Sequence, residues 1–220
     1  MTQGDRLSDR IDQAVQDFMS GLPENDLTTV TQNFEKLLAS SIAANAVNLG
    51  DTAPDFSLPD IKGQTLNLNE TLEQGPVVLN FYRGGWCPLC SLELQALQQQ
   101  LPEIRSLGAT LIGISPETPD NSLTTAGKHG LDFEVVSDIG NKTARDYGLV
   151  FTLYEEMRPL YLKWGLDVPA FNGDTSWELP VPATYLIDSG GVVRAAHVDK
   201  DYTRRMEPEK ILDALKELAS

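Results

Sequence analysis

The chain has 220 residues, and its 41% apolar content is enough to bury a complete hydrophobic core without disulfide bonds. With 17 basic against 32 acidic residues it carries a net charge of -15, so we do not expect nucleic acid as a partner. No apolar run approaches the ~20 residues that span a bilayer, and Met1–Arg6 lacks the apolar core of a signal peptide, so we expect no membrane partner and a cytoplasmic location.

The first 48 residues differ in character from the rest of the chain. Apolar residues recur every three or four positions in two stretches, one with Leu7, Ile11, Val15 and Phe18, the other with Phe34, Leu37, Leu38, Ile42 and Val47. The breaker segment 21–26 separates them. The pattern predicts an N-terminal helical extension (residues 1–48) of two amphipathic helices, ahead of a domain of residues 49–220. Either that domain or a second copy of the chain, in a homodimer, must cover their apolar faces.

From residue 49 onward, strand and helix patterns alternate. Candidate strands are residues 76–82, 109–115, 133–137, 183–188 and 192–198, and the turn at 188–191 indicates a hairpin between the last two. Residues 208–218 form a closing amphipathic helix. Helical crossovers followed by a terminal hairpin predict an α/β fold with a mixed central sheet flanked by helices.

The only two cysteines, Cys87 and Cys90, lie two residues apart, between an apolar strand and a helix. Such a strand-to-helix turn sets sulfur against unpaired backbone N–H groups and the positive end of the helix dipole, which favours the reactive thiolate. The following helix shows Leu94, Leu97, Leu101, Ile104 and Leu107 on one face. Because Pro102 lies inside this pattern, we expect a kink or restart near residue 101.

Three other uses of the cysteine pair compete with a redox role. A structural disulfide between such close neighbours closes a very short loop and stabilises little. A zinc site would need His129 and His197, which are far away in the sequence, and we expect neither to be catalytic. Two inert buried cysteines are the third alternative. The redox role remains favoured, because thiols stay reduced in the cytoplasm, where a cysteine pair is more often catalytic than structural. We expect no metal and no cofactor.

Several separate segments together resemble a known family. In order, they are residues 50–60 (GDTAPDFSLPD), 78–83 (VLNFYR), the cysteine pair, 113–116 (GISP), 137–138 (SD) and 182–188 (PATYLID). This order is similar to the peroxiredoxin-like branch of the thioredoxin superfamily, of the alkyl hydroperoxide reductase / thiol-specific antioxidant type, over residues 49–220. The resemblance implies a thioredoxin fold, an antioxidant peroxidase activity on a peroxide substrate, and a thioredoxin-like reductant as partner.

The resemblance also implies roles for the cysteines. Peroxiredoxins carry Thr-x-x-Cys, and alignment places Cys90 on their attacking cysteine and Cys87 on the threonine. We therefore assign Cys90 as the attacking sulfur, Cys87 as the resolving one, and an intramolecular disulfide as the product. Thioredoxin chemistry would reverse the two, because there the first cysteine is the reactive one.

Four further residues enter as supporting candidates. Pro182 stands where the family tends to place an arginine and where thioredoxins have a cis-proline; in a cis form it would lie against the cysteines. Arg83 and Arg194 could supply the missing positive charge, or each could be a solvated surface residue. Trp86 is either a wall over the sulfurs or a core residue.

Residues 150–180 interrupt the alternation with Met157, Tyr161, Trp164 and Phe171. We interpret this stretch as a helical insertion with a loop at 172–174, which either packs on the domain or shapes the mouth of the site. The leading function is a thiol peroxidase. A thiol-disulfide oxidoreductase acting on protein disulfides and a non-enzymatic redox sensor are the alternatives.

Overall fold

A computed structural model describes residues 6–219, and these show two N-terminal helices followed by a mixed sheet with helices on both faces. The N-terminal part holds α1 (Leu7–Ser20) and α2 (Glu24–Ala39). The prediction that Met1–Arg6 holds no signal peptide concerns residues that lie almost wholly outside the described part. Within residues 6–219, no helix combines the length and the apolar character needed to cross a membrane.

The central sheet has five strands, β3 (Val77–Phe81), β4 (Thr110–Ser115), β5 (Glu134–Ser137), β8 (Ala183–Ile187) and β9 (Val193–Val198). Their order across the sheet is β5-β4-β3-β8-β9. β3 pairs in parallel with β4 and antiparallel with β8, and β8 and β9 form the predicted hairpin. The α/β class with a mixed sheet is therefore confirmed.

The helices pack as two layers on this sheet. One core cluster joins α1, α4 (Pro88–Ser106), α5 (Pro119–His129) and α9 (Pro208–Ala219) to one face. The other face is covered by α3 (Leu68–Leu72) and α6 (Lys142–Asp146). Along β3, Val77, Leu79 and Phe81 face the second layer and Val78 faces the first, which is the alternation of a strand buried on both sides.

Two small strand pairs were not predicted. A hairpin joins β1 (Ser57–Pro59) to β2 (Thr65–Asn67), and β6 (Val150–Thr152) pairs with β7 (Glu178–Pro180). Between β6 and β7 the insertion contains a 3₁₀ turn (Glu155–Met157), α7 (Arg158–Lys163) and α8 (Val168–Asn172). Strands of three residues are too short to show a period of two in the sequence.

The N-terminal helices differ from the prediction in their bounds. α2 begins at Glu24 and ends at Ala39, so Ile42 and Val47 lie outside it. The break is thus shorter than the predicted 21–26, and the acidic residues of the first turn of α2 suit the positive end of the helix dipole. Leu7 and Ile11 are buried in the same cluster as the cysteines, so the main domain covers this face of α1. The boundary at residue 48 remains a prediction.

The helix after the cysteines does not restart near residue 101, whereas the other expected outcome, a kink there, stays a prediction. α4 continues from Pro88 to Ser106 with Pro102 inside it. Leu101 and Ile104, on either side of the proline, are buried in the core. Their packing offsets the single backbone hydrogen bond that a proline cannot donate.

Candidate redox site

The cysteine pair lies at the turn between the end of β3 and the first turn of α4, as predicted. Cys87 is the N-cap residue of α4, with Pro88 as the first helical residue, and Cys90 follows in the first turn. Both sulfurs are free thiols, and both residues are completely buried. The structure therefore holds a reduced dithiol in a site from which water is excluded.

The loop that leads to Cys87 is held by a buried carboxylate. Glu117 accepts hydrogen bonds from the backbone N–H of Gly85 at 3.0 Å and from the Thr125 hydroxyl at 3.2 Å. A Cβ on Gly85 would lie 2.0 Å from the Thr125 hydroxyl oxygen, so only glycine fits there. Burial raises the pKa of Glu117, and its hydrogen bonds oppose that change. This loop fixes the start of α4.

Arg83 is the positive charge closest to Cys87. Its guanidinium donates to the Cys87 sulfur at 3.1 Å, and the residue is only 5% exposed. The same guanidinium lies 4.4 Å from the ring centre of Tyr202. Arg83, which the sequence left as either a site residue or a surface residue, thus lies in the site. Arg194 does not, because it is exposed and pairs with Asp188 at 2.6 Å.

A second arginine, Arg205, approaches the other sulfur. It lies 3.9 Å from the Cys90 sulfur and forms a 2.8 Å ion pair with Glu93, both side chains being almost fully buried. Asn80 of β3 donates to the other Glu93 oxygen at 3.1 Å. Burial raises the pKa of Glu93, against the effects of Arg205 and Asn80.

Asn80, Glu93 and Arg205 were not among the site residues predicted from the sequence. Asn80 is a lone amide in an apolar strand, and Glu93 is a carboxylate on the apolar face of a helix, three residues after Cys90. Both were signals of a buried polar network. Arg205 lies in the loop between β9 and α9, more than 100 residues along the chain from its partner, and nothing local indicated it.

The two thiols have opposite electrostatic environments. Burial alone would raise the pKa of the Cys87 thiol, but the hydrogen bond from Cys90 and the charges of Arg83 and Arg205 outweigh it, so that pKa lies well below its usual range. The pKa of Cys90 lies well above its usual range, because burial and the neighbouring Cys87 outweigh both arginines. The surroundings of the pair therefore favour the thiolate form of Cys87 over that of Cys90.

The remaining candidates lie around this centre. Trp86 stacks on Phe171 with ring centres 6.1 Å apart and meets Tyr161 edge-on at 6.0 Å, so it joins the insertion to the site. Pro182 is buried, but every peptide bond within residues 6–219 is trans, so the cis-proline of the thioredoxin comparison is not found.

Neither histidine joins the cysteines. His129 lies at the end of α5 beside Gln95, and His197 lies on β9 opposite Thr184. Among residues 6–219, no group of three or more His, Cys, Asp or Glu side chains could hold a metal ion.

The sequence and the fold of this chain are similar to those of known proteins. The model of the AhpC/TSA family matches residues 49–196. Peroxiredoxin Bcp of Escherichia coli K12 is 29% identical over 80% of this chain and 99% of its own length. Chloroplastic peroxiredoxin Q of Populus jackii is 31% identical over 76% of this chain, which spans 65% of that relative. The solved structure of peroxidoxin BcpB from Mycobacterium tuberculosis, at 24% identity, superposes with a TM-score of 0.62 over 79% of this chain and 99% of its own.

Proposed function

The chain belongs to the AhpC/TSA family, and on that premise we propose that it is a thiol-dependent peroxidase that uses Cys87 and Cys90. The observation that carries the proposal is a buried cysteine, Cys87, whose sulfur accepts a 3.1 Å hydrogen bond from Arg83 and which is followed three residues later by a second free cysteine. A thiolate is the nucleophile that attacks a peroxide, and a nearby thiol is what a sulfenic acid needs for condensation.

Both sulfur atoms that the peroxidase reaction needs are present in one chain. The Cys87 thiolate attacks the terminal oxygen of the hydroperoxide, the O–O bond breaks, and Cys87 becomes a sulfenic acid. The departing alkoxide or hydroxide takes the proton of Cys90, whose thiolate then attacks the Cys87 sulfur. The S–S bond forms, hydroxide leaves and is protonated to water. The two electrons come from the dithiol, and a thioredoxin-like reductant restores them by disulfide exchange.

In this proposal Cys87 is the sulfur that attacks the peroxide. Alignment with the family favours Cys90 instead. The reason for choosing Cys87 is that Arg83 contacts it directly, whereas Arg205 is 3.9 Å from Cys90 and already neutralised by Glu93. A fixed guanidinium within hydrogen-bond distance favours the ionised form of its partner.

The test uses stopped-flow oxidation by hydrogen peroxide with trapping of sulfenic acid by dimedone. We expect the wild-type rate to far exceed that of free cysteine. Cys90→Ser should retain fast oxidation and accumulate trapped sulfenic acid on Cys87, while Cys87→Ser should lose the fast phase. Fast oxidation of Cys87→Ser with sulfenic acid on Cys90 would restore the assignment from alignment. No acceleration in the wild type would refute the peroxidase.

A second candidate function is thiol-disulfide exchange with protein substrates. The observation in its favour is the position of Cys87, the first cysteine of a Cys-x-x-Cys, at the N-terminus of α4, where a lowered thiol pKa is typical of disulfide oxidoreductases. The complete burial of both sulfurs counts against it, because a protein disulfide is far larger than a peroxide. Reduction of insulin disulfides faster than peroxide reduction would favour this second function.

A further inference from the structure

Helix α2 covers the side of the site where Arg83 lies. Arg83 lines a small cavity together with Tyr161, Tyr202 and one face of α2. Its guanidinium donates to the Cys87 sulfur at 3.1 Å and lies 4.4 Å from the ring centre of Tyr202. A single layer of side chains therefore separates α2 from a cysteine that is completely buried.

The contact between α2 and the domain is loosely packed. Three of the sixteen described residues of α2 are buried, namely Val30, Asn33 and Leu37. The cavity in this contact has a volume of about 30 Å³, and Phe34 also lines it. Two buried polar atoms beside it, Asn33 Oδ1 and Arg83 Nε, have no hydrogen-bond partner among the described residues. Because buried polar atoms without partners weaken a contact, packing holds α2 only weakly.

Two surface ion pairs join α2 to the insertion. Lys36 of α2 pairs with Glu156 at 2.9 Å, and Asp26 of α2 pairs with Lys163 at 2.6 Å. Both lysine side chains are more than half exposed. Exposed pairs contribute little to stability and are screened by salt. The attachment of α2 should therefore be weak and sensitive to ionic strength.

The segments on either side of α2 are fixed on the domain. Before α2, helix α1 buries Ile11 in the core cluster that contains both cysteines. After α2, the N–H of Val47 donates to the Tyr147 carbonyl at 3.1 Å. A Cβ on Gly148 would lie 2.5 Å from the Asn45 carbonyl oxygen, so the chain packs directly on the domain there. α2 is thus a loosely held helix between two fixed segments.

The two links that flank α2 suit hinges. Residues 21–23 form the break between α1 and α2. On the other side, Ala43 has a φ of 60°, in the left-handed region that side chains other than Asn and Asp rarely adopt. Strained backbone of this kind is typical of switch regions. Because neither link belongs to a helix or strand, α2 can rotate as a body without unfolding α1 or the sheet.

We propose that α2 is a lid over the cysteine pair, and that the thiol of a protein reductant reaches the pair only when α2 swings away. The need for a reductant rests on the proposed peroxidase function, whereas the lid itself does not. α2 lies outside the family match of residues 49–196. The lid is therefore an addition to the family domain.

Disulfide exchange with the reductant takes place in the open state. A thiolate of the reductant attacks one sulfur of the Cys87–Cys90 disulfide, the S–S bond breaks, and the other sulfur leaves as a thiolate that is then protonated. A second thiolate of the reductant attacks the reductant's own sulfur in the mixed disulfide. The cysteine pair is thereby reduced and the reductant is oxidised.

The first experiment loosens the lid and measures labelling of the reduced protein by a maleimide carried on a long polyethylene glycol chain. Lys36→Gln/Lys163→Gln removes both ion pairs of α2. Lys216→Gln is the matched control, because it removes a similarly exposed pair with Glu103 that does not involve α2. We expect labelling about 3- to 10-fold faster in the double variant and unchanged in the control. Equal rates in the double variant and the control would overturn the lid.

Salt provides an independent measurement on the same proteins. At about 1 M salt, where charges are screened within a few ångström, labelling of the wild type should accelerate towards the rate of the double variant. The double variant should respond little. The pH titration of thiolate absorbance should coincide for all three proteins, because no substituted side chain contacts the cysteines. An equal response to salt in the wild type and the double variant would contradict the role of the ion pairs.

The second experiment tightens the lid. Asn33→Leu replaces the unpartnered amide at the cavity by an apolar side chain of similar volume, and Gln32→Leu, an exposed neighbour, is its control. Removal of a buried acceptor that lacks a partner should stabilise the closed lid, so labelling should slow about 2- to 5-fold in Asn33→Leu and stay unchanged in Gln32→Leu. General destabilisation would accelerate labelling instead. An unchanged or faster rate in Asn33→Leu would contradict the lid.

Reduction by thioredoxin separates this inference from the function beneath it. Oxidised Lys36→Gln/Lys163→Gln should be reduced by thioredoxin faster than the wild type, by the same factor as in labelling. An unchanged rate of reduction beside faster labelling would overturn the role of the lid in access of the reductant. Oxidation of the wild type by hydrogen peroxide no faster than that of free cysteine would refute the peroxidase, while the labelling rates would still decide the lid.

Discussion

Arg83 donates a 3.1 Å hydrogen bond to the Cys87 sulfur although both residues are removed from water. A charged donor in a water-excluded site acts strongly on its partner because little solvent screens it. Arg83, the first residue of the segment RGGWCPLC, thereby favours the ionised form of Cys87, together with the hydrogen bond from Cys90 and the charge of Arg205.

Replacing Arg83 should change the pH dependence of oxidation. Because the pKa of Cys87 is lowered, its thiolate persists as pH falls, and the wild-type rate should stay constant well below the pKa of a free thiol, about 8.5. Loss of an opposite charge at this distance raises a pKa by about one to three. Arg83→Met should therefore be at least about tenfold slower below neutral pH and recover with rising pH. Arg194→Met serves as control in stopped-flow profiles, and parallel profiles for the wild type and Arg83→Met would contradict the assignment.

The buried Glu93–Arg205 pair should show strong coupling in a double-mutant cycle. Breaking a buried ion pair from one side leaves an uncompensated charge and costs about 3–5 kcal/mol. We expect Arg205→Met to lower the free energy of unfolding by that amount and Arg205→Met/Glu93→Leu to recover much of it. The exposed pair Arg145–Glu178 is the matched control, with an expected cost under about 1 kcal/mol for Arg145→Met. Urea denaturation of the wild type, Arg205→Met, Glu93→Leu, the double variant and Arg145→Met measures these losses, and additive losses in the two single variants would contradict the coupling.

Two glycines should respond oppositely to alanine. A Cβ on Gly85 meets the Thr125 side chain at 2.0 Å, whereas a Cβ on Gly127, inside α5, meets nothing within 4 Å. Gly127→Ala should stabilise the protein by about 0.5–1 kcal/mol through helix propensity. Gly85→Ala should destabilise it by about 1–3 kcal/mol, as overpacking does, and should slow oxidation because it displaces the loop before Cys87. Thermal unfolding with oxidation kinetics checks both; a neutral Gly85→Ala would refute the close packing.

The N-terminal helix α1 should be part of the cooperative unit. Ile11 is fully buried in the cluster that contains both cysteines. Ile11→Ala should cost about 2–5 kcal/mol and shift a single unfolding transition. Lys36→Ala, exposed on α2, is the control, since its surface ion pair with Glu156 contributes little. A separate early transition that leaves the main one unchanged would mean that the N-terminal helices fold as an independent unit.

Local periodicity was enough to predict several parts of this protein. The apolar run before Cys87 and the three-to-four spacing after Cys90 predicted the strand-to-helix turn that holds the thiols, and the turn at 188–191 predicted the hairpin. Family-like segments in a fixed order predicted the fold. Each of these signals extends over only a few turns or strands, so it can be read without knowing what packs against it.

Contacts between distant segments determine which charges face the thiols, and no local pattern predicted them. Arg205 reaches Glu93 across 112 residues, and α2 supplies Asn33 and Phe34 to a cavity whose opposite wall lies more than 100 residues away. Nothing in the sequence distinguished the roles of Arg83 and Arg194, yet Arg83 is buried against the Cys87 sulfur and Arg194 is exposed. Packing of the neighbouring apolar residues also stabilises the continuous helix α4 across Pro102, where local propensity predicts a break. In each case the deciding energy comes from burial and contact between distant segments, which no local pattern encodes.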